Sequence, residues 1–177
     1  VVFIGLDGWG AYSLPKADMP NVKKLMEDGS YTLKKRSALP SSSAINWASM
    51  FMGAGPELHG YTEWGSKTPE LPSRVLNKNG IFPTVFQLLR DARPEAEIGC
   101  LYEWEGIKYL VDTLSLNYHY HVADCNKTPK ELGNMASAYI KEKHPALVAI
   151  CYDGPDHTGH TEGHDTPAYY EKLKELD

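Results

Sequence analysis

The chain has 177 residues, 42% hydrophobic and 23% charged, with a net charge of −5. That is one domain or part of a larger one, able to bury roughly 70% of its unfolded surface. The acidic balance excludes a nonspecific nucleic-acid binder, the three scattered cysteines (Cys100, Cys125, Cys151) exclude a disulfide framework, and no apolar run is long enough to span a membrane. In chain order, Val1–Leu6 is short and continuously apolar, which predicts a strand buried on both faces and ending at Asp7-Gly8. Met19 to Asp28 predicts a helix with Pro20 in its first turn, an apolar stripe of Val22, Leu25 and Met26, and Gly29 as its stop. Tyr31 to Leu39 reads as a strand with Lys34, Lys35 and Arg36 partly exposed. Ser43 to Met52 reads as a helix entered from Pro40 and a serine triplet and closed by Gly53.

Gly60 to Gly80 is polar and rich in turn residues, a surface loop. Pro83 to Ala92 predicts a helix facing Val85, Phe86, Leu88 and Leu89 inward. Glu97 to Tyr102 is a buried strand, Ile107 to Val111 a short helix, and His119 to Ala123 a strand. Thr128-Pro-Lys-Glu131 is a capping box opening a helix to about Lys143. Ala146 to Tyr152 is a fully apolar strand, and Asp165-Thr-Pro-Ala begins a last helix. Strands alternate with helices and are mostly apolar throughout, so the fold class is α/β, a mostly parallel sheet with helices on both faces. Ligands of such sheets sit at the carboxyl ends of the strands, where Asp7, Asp153 and Asp156 fall. The chain opens without Met and stops within an amphipathic pattern. The expectation is one α/β domain over residues 1–177, the N-terminal portion of a larger catalytic domain truncated at its C-terminus.

Asp156-His-Thr-Gly-His160-Thr-Glu-Gly-His164-Asp165 is the densest chemical cluster. Carboxylate and imidazole suit zinc and related ions, and a D-x-x-G-H turn can present an oxygen and a nitrogen to one ion. A solvated His-rich loop is the plain alternative. Asp7 stands where an α/β site lies, although an Asp after a strand is as often a turn cap. Ser43 stands at a predicted helix start, whose free N–H groups and partial positive charge would stabilise an alkoxide or a phosphate; an N-cap serine without chemistry is the alternative. His119-x-His121 could point two imidazoles to one face, but an ordinary strand is favoured. His59-Gly60 shapes a turn. Trp9, Trp64 and Trp104 are candidate substrate-facing aromatics that core or loop packing explains as well.

Taken in order, these pieces resemble the alkaline phosphatase superfamily, most closely the type I phosphodiesterases and nucleotide pyrophosphatases. Val2-Phe-Ile-Gly-Leu-Asp7-Gly resembles the first strand and its metal-binding Asp. Met19 to Gly29 resembles the "TPNLDRLAEEG" helix. Leu39-Pro-Ser-Ser-Ser43 through Gly53, then Pro56-Glu-Leu-His59-Gly60, is similar to the nucleophile helix and its trailing turn, with Ser43 at the nucleophile position. Asp156-x-x-Gly-His160 resembles the second metal-binding block.

The resemblance implies an alkaline phosphatase-like fold and a metal-dependent hydrolase of small-molecule phosphate esters, diesters foremost. It implies a covalent intermediate on Ser43 and two divalent ions, zinc first, one on Asp7 and Ser43 and the other on Asp156 and His160. It also implies an extracytoplasmic setting, no nucleic-acid partner and no activity in the 177 residues alone; the oligomeric state stays open. Two departures stand out. Trp64 occupies the place of an Asn that holds a phosphoryl oxygen in the nucleotide pyrophosphatases, and the family's later Asp-His pair and final His have no counterpart up to Asp177. Ser43-Ala44 also resembles the phosphomonoesterase branch. A C/S-x-P-x-R sulfatase frame is absent. A phosphomonoesterase and a non-catalytic metal-binding α/β module are the alternatives.

Overall fold

The computed structural model describes residues 1–123 and 129–177. Its strands are β1 (Val2–Leu6), β2 (Ile98–Tyr102), β3 (Tyr118–His121) and β4 (Leu147–Tyr152). Its helices are α1 (Pro20–Asp28), α2 (Ser43–Met52), α3 (Pro56–His59), α4 (Val85–Ala92), α5 (Pro129–Lys143), α6 (Gly154–Glu162) and α7 (Pro167–Leu176), with short 3₁₀ turns at Ala11–Ser13, Glu105–Tyr109 and Thr113–Ser115. The sheet runs β1-β4-β2-β3, every pair parallel. The three apolar strands read from the sequence are therefore parallel neighbours.

Helices cover both faces. Cys100, Tyr102, Ala149 and Cys151 point to the side packed by Trp47, Ala48 and Phe51 of α2 and Phe86 of α4. Leu101, Val148 and Ile150 point the other way, onto Leu132, Ala136 and Tyr139 of α5. A third cluster joins Leu14, Ala17 and Met19 to Tyr169 and Leu173 of α7. Register aligns the carboxyl ends: Leu6 lies opposite Tyr152, and Cys151 opposite Tyr102. Asp7, Asp153 and Glu103 thus follow three adjacent strand ends side by side.

Several expectations need correction. β1 is an edge strand rather than one buried on both faces, and Ile4 is 56% exposed. Residues 31–39 form no strand; their backbone is tied locally, Ala38 N–H donating to Asn46 Oδ1 of α2, so no sheet edge takes it up. On α4 Phe86 is buried and Leu89 packs half-buried against the same core, but Val85 and Leu88 face outward, Leu88 being 58% exposed, because a single stripe of a helix can meet the core. Leu25 of α1 also faces outward, and Met19 before the helix takes the buried place. The Asp156–Glu162 stretch is helix rather than loop. Thr128 of the capping box and Cys125 lie outside the described residues, although α5 runs to Lys143 as expected.

Candidate functional site

The site is built from the outset by small residues. Gly5 of β1 lets the Trp47 indole lie directly on the strand: a Cβ there would fall 2.3 Å from the ring. Trp47, stacked on Phe51 with centroids 5.6 Å apart, then donates Nε1–H to Asp7 Oδ2 at 2.9 Å. Gly8 N–H donates to Asp7 Oδ1 at 2.9 Å. Gly8 has φ +67°, and a Cβ there would sit 2.5 Å from Asp156 Cα. The turn after β1 and the first turn of α6 are thus in backbone contact, which holds the Asp7 and Asp156 carboxylates in one neighbourhood.

α6 presents Asp156 and His160 one turn apart on one face, His160 Nε2 lying 3.4 Å from Asp156 Oδ2. Asp156 sits in the first turn, where the helix dipole favours negative charge, and His160 in the last, where it favours positive charge. Burial raises the Asp156 carboxyl above its usual value, the nearby Asp7 charge raises it further, and His160, His164 and His157 oppose the shift. Two carboxylates lining the same cleft suit a cation.

Ser43 is the first residue of the ten-residue helix α2 and is itself buried. The Ser42 carbonyl accepts from Asn46 N–H and from the Asn46 amide, and the buried Ser42 Oγ has no partner among the described residues. Asp7, Ser43, Asp156 and His160 all line one cleft of about 810 Å³, with Trp9, Lys35, Ser41, Asn46, Trp64 and His164 around them. An adjoining lobe of about 430 Å³ is lined by Ser43, Trp64, Trp104, Asp153, Asp156, His157 and His160.

Glu103 escaped the sequence reading. It is only 5% exposed at the end of β2, and its Oε2 accepts the Asp153 N–H at 2.7 Å, pinning the start of α6. Its Oε1 has no partner among the described residues. Burial pushes its carboxyl up to about 7, against the opposing N–H donors of Asp153 and Gly154. The available signal was an acid directly following an unbroken buried strand.

The other candidates go elsewhere. His59 is fully buried; its Nδ1 accepts Tyr61 N–H, and its Nε2 lies 3.1 Å from Ser49 Oγ, so it is part of the packing. His119 and His121 both stack on Tyr102, and His121 Nε2 donates to the Glu103 carbonyl at 2.8 Å. Among the described residues no three His, Cys, Asp or Glu side chains converge as a ready-made ion site, and no helix is long and apolar enough to cross a membrane.

The profile of the type I phosphodiesterase / nucleotide pyrophosphatase family matches residues 1–177. Murine ectonucleotide pyrophosphatase / phosphodiesterase 5, solved as an inactive form in complex with AMP, is similar in fold at TM-score 0.72 and 18% identity, over 99% of this chain and 50% of that one. The human counterpart gives TM-score 0.68 and 14% identity, over 99% of this chain and 50% of that one. Phosphonoacetate hydrolase from Sinorhizobium meliloti 1021, in complex with phosphonoformate, gives 0.69 and 19%, over 99% of this chain and 50% of that one. The chain therefore spans about half the length of these solved structures. No curated protein matches it.

Proposed function

The chain belongs to the type I phosphodiesterase / nucleotide pyrophosphatase family, and from that premise we propose that the intact protein is a metal-dependent hydrolase of small phosphate esters, diesters foremost, with Ser43 as its nucleophile. The observation that carries this reading is Ser43 at the N-terminus of α2, in the same cleft as Asp7, Asp156 and His160.

The donor set fits divalent ions: carboxylate oxygens on Asp7 and Asp156, a hydroxyl on Ser43 and an imidazole on His160. Asp7 and Ser43 would hold one ion, Asp156 and His160 the other, with the remaining ligands proposed to come from elsewhere in the intact protein. Such ions, zinc first, supply Lewis-acid neutralisation of the charge that develops on the transferring phosphoryl group.

The chain's own part is positioning. The free N–H groups and positive end of α2 favour the Ser43 alkoxide over the alcohol and would also cradle a phosphoryl oxygen. The Ser43 Oγ attacks phosphorus in line, an O–P bond forms, and the bond to the leaving alkoxide breaks. Water then cleaves the phosphoseryl ester and restores Ser43. Trp47 and Gly8 hold both Asp7 oxygens in place throughout. Preorganised charge of this kind, rather than covalent assistance, supplies most of the rate in phosphoryl transfer.

The neighbours in complex with AMP and phosphonoformate support a small phosphoryl or phosphonyl compound as substrate. We place the intact protein outside the cytoplasm on the family resemblance. The test is Ser43→Ala in the intact protein. Phosphoesterase activity should fall by at least about a thousandfold, on the order seen when a nucleophile is removed, while metal content changes little. Near-normal turnover would end the covalent mechanism. Metal binding without turnover in the unsubstituted protein would instead favour a non-catalytic metal-binding module.

A further inference from the structure

α6 carries Asp156 and His160, yet its sequence, Gly154-Pro-Asp-His-Thr-Gly-His-Thr-Glu162, is a poor helix former, with Gly159 in its middle and two threonines. A helix of nine residues with that composition takes its order from its surroundings. Its own start offers little. Among the described residues the Asp153 side chain makes no cap bond to it. Pro155 has no N–H, so Asp153, Gly154 and Asp156 carry the donors that the helix itself does not use.

The cap comes from another strand. Glu103 Oε2 accepts Asp153 N–H at 2.7 Å, and the Gly154 N–H donates to the same carboxylate. The Glu103 backbone is itself fixed on both sides: its N–H donates to the Cys151 carbonyl at 3.0 Å, and its carbonyl accepts from His121 Nε2 at 2.8 Å. The side chain therefore starts from a point held by β3 and β4 and reaches across to α6. Burying a carboxylate is costly, and β2 before it is buried at every position, so an apolar residue would continue the strand without that cost. The Lys172 ammonium that acts on it is itself bonded to Glu175 at 2.7 Å. What the carboxylate gains here is the pair of N–H donors at the start of α6. From the β1 side, Gly8 touches the Asp156 backbone. The first turn of α6 is thus clamped between the turn after β1 and the side chain that follows β2.

We propose that Glu103 is a positioning residue of the site: by capping α6 from the neighbouring strand it holds Asp156 and His160 at the spacing an ion needs. The inference rests on the reading of these two residues as ion ligands. Its effect is confined to their half of the site, because Asp7 and Ser43 stand on β1 and α2 and are held by other contacts.

The test separates reach from charge on the intact protein, at about pH 8, where a carboxyl of this kind is ionised. Glu103→Gln keeps an acceptor oxygen at the same reach and removes the charge. Glu103→Asp keeps the charge and withdraws the oxygens by one carbon. Zinc Kd is measured by calorimetry with a competing chelator, and the absorption of the cobalt(II)-loaded protein reports ligand geometry at the ion. Urea unfolding of the metal-free variants records stability separately. Glu103→Gln should stay within about threefold of the unsubstituted zinc affinity. Glu103→Asp should weaken it at least about tenfold, the scale of groups that hold a metal ligand in place, and should alter the cobalt spectrum. The same change should cost little further in an Asp156→Asn background, since both act on one ligand. Glu103→Met, similar in length and without an acceptor oxygen, should follow Glu103→Asp and takes its place if that variant does not fold. Zinc affinity and cobalt spectrum unchanged in Glu103→Asp or Glu103→Met, whatever their urea midpoints, would overturn the positioning role. So would a loss in Glu103→Gln as large as that in Glu103→Asp. A protein with this zinc dependence that hydrolyses no phosphate ester keeps the positioning role and ends the hydrolase reading. Ester hydrolysis with a zinc affinity indifferent to Glu103→Asp does the reverse.

Discussion

Gly8→Ala should be among the most damaging single-methyl changes in the chain, for two separable reasons. First, φ at residue 8 is +67°, and a non-glycine residue in that region costs about 1–2 kcal/mol. Second, the new Cβ would lie 2.5 Å from Asp156 Cα and 2.8 Å from Asp156 N. Relaxed carbon contacts lie near 3.5–4.0 Å, so the first turn of α6 must retreat by about 1 Å. Overpacking of this kind costs about 1–3 kcal/mol, giving a total of about 2–5 kcal/mol. Gly80→Ala is the control: φ is +80°, yet a Cβ there meets nothing within 4 Å, so only the backbone cost of about 1–2 kcal/mol applies. Urea unfolding of the two variants side by side isolates the overlap. Calorimetric titration with zinc should show a weakened site in Gly8→Ala alone, since Asp7 and Asp156 are pushed apart. Equal stability losses in the two variants, or unchanged zinc binding in Gly8→Ala, would refute the contact between the β1 turn and α6 as the frame of the site.

Trp47→Phe retains most of the stack on Phe51 but removes the donor to Asp7 Oδ2; a lost hydrogen bond to a charged group costs about 1.5–3 kcal/mol, read as a lower urea midpoint and weaker zinc affinity. Asp156→Asn should lower metal content and activity together, measured by metal analysis alongside an ester assay, because it removes a charged group rather than the attacking hydroxyl. Glu103 sets a pH dependence. Its folded carboxyl is raised from 4.5 to about 7, so between those values the native state holds more protons than the unfolded state, and stability falls as pH rises. The loss is on the order of 2 kcal/mol once residual solvent screening is allowed for. It is absent below about pH 4.5 and complete above about 7. Metal-free Glu103→Gln should unfold in urea without this component of the pH 5 to pH 8 slope; an unchanged slope would assign it to other groups.

The sheet was legible because its strands announce themselves by composition. Glu97–Tyr102 and Ala146–Tyr152 are apolar at consecutive positions, the pattern of strands covered on both sides. The same pattern misled at Val1–Leu6, because composition does not distinguish a central strand from an edge. Residues 31–39 show the opposite failure: a strand needs a free ladder, and Asn46 takes the Ala38 N–H instead. At the site, Asp7, Ser43, Asp156 and His160 could be named from ordered motifs, and the structure lines one cleft with all four. Their supports could not. Trp47 reaches Asp7, 40 positions away, only because Gly5 has no side chain. The helical start of α6 depends on Glu103, some 50 residues upstream, whose role exists only once β2 and β4 are paired.

The most direct test of the central claim is the stereochemistry of transfer. A diester made chiral at phosphorus with sulfur and oxygen isotopes is turned over by the intact, metal-loaded protein, and the configuration of the product is read by phosphorus NMR. Attack by Ser43 followed by water comprises two in-line displacements, each inverting phosphorus, so the account predicts net retention. Net inversion would mean that water attacks the ester directly, and would contradict a phosphoseryl intermediate at Ser43.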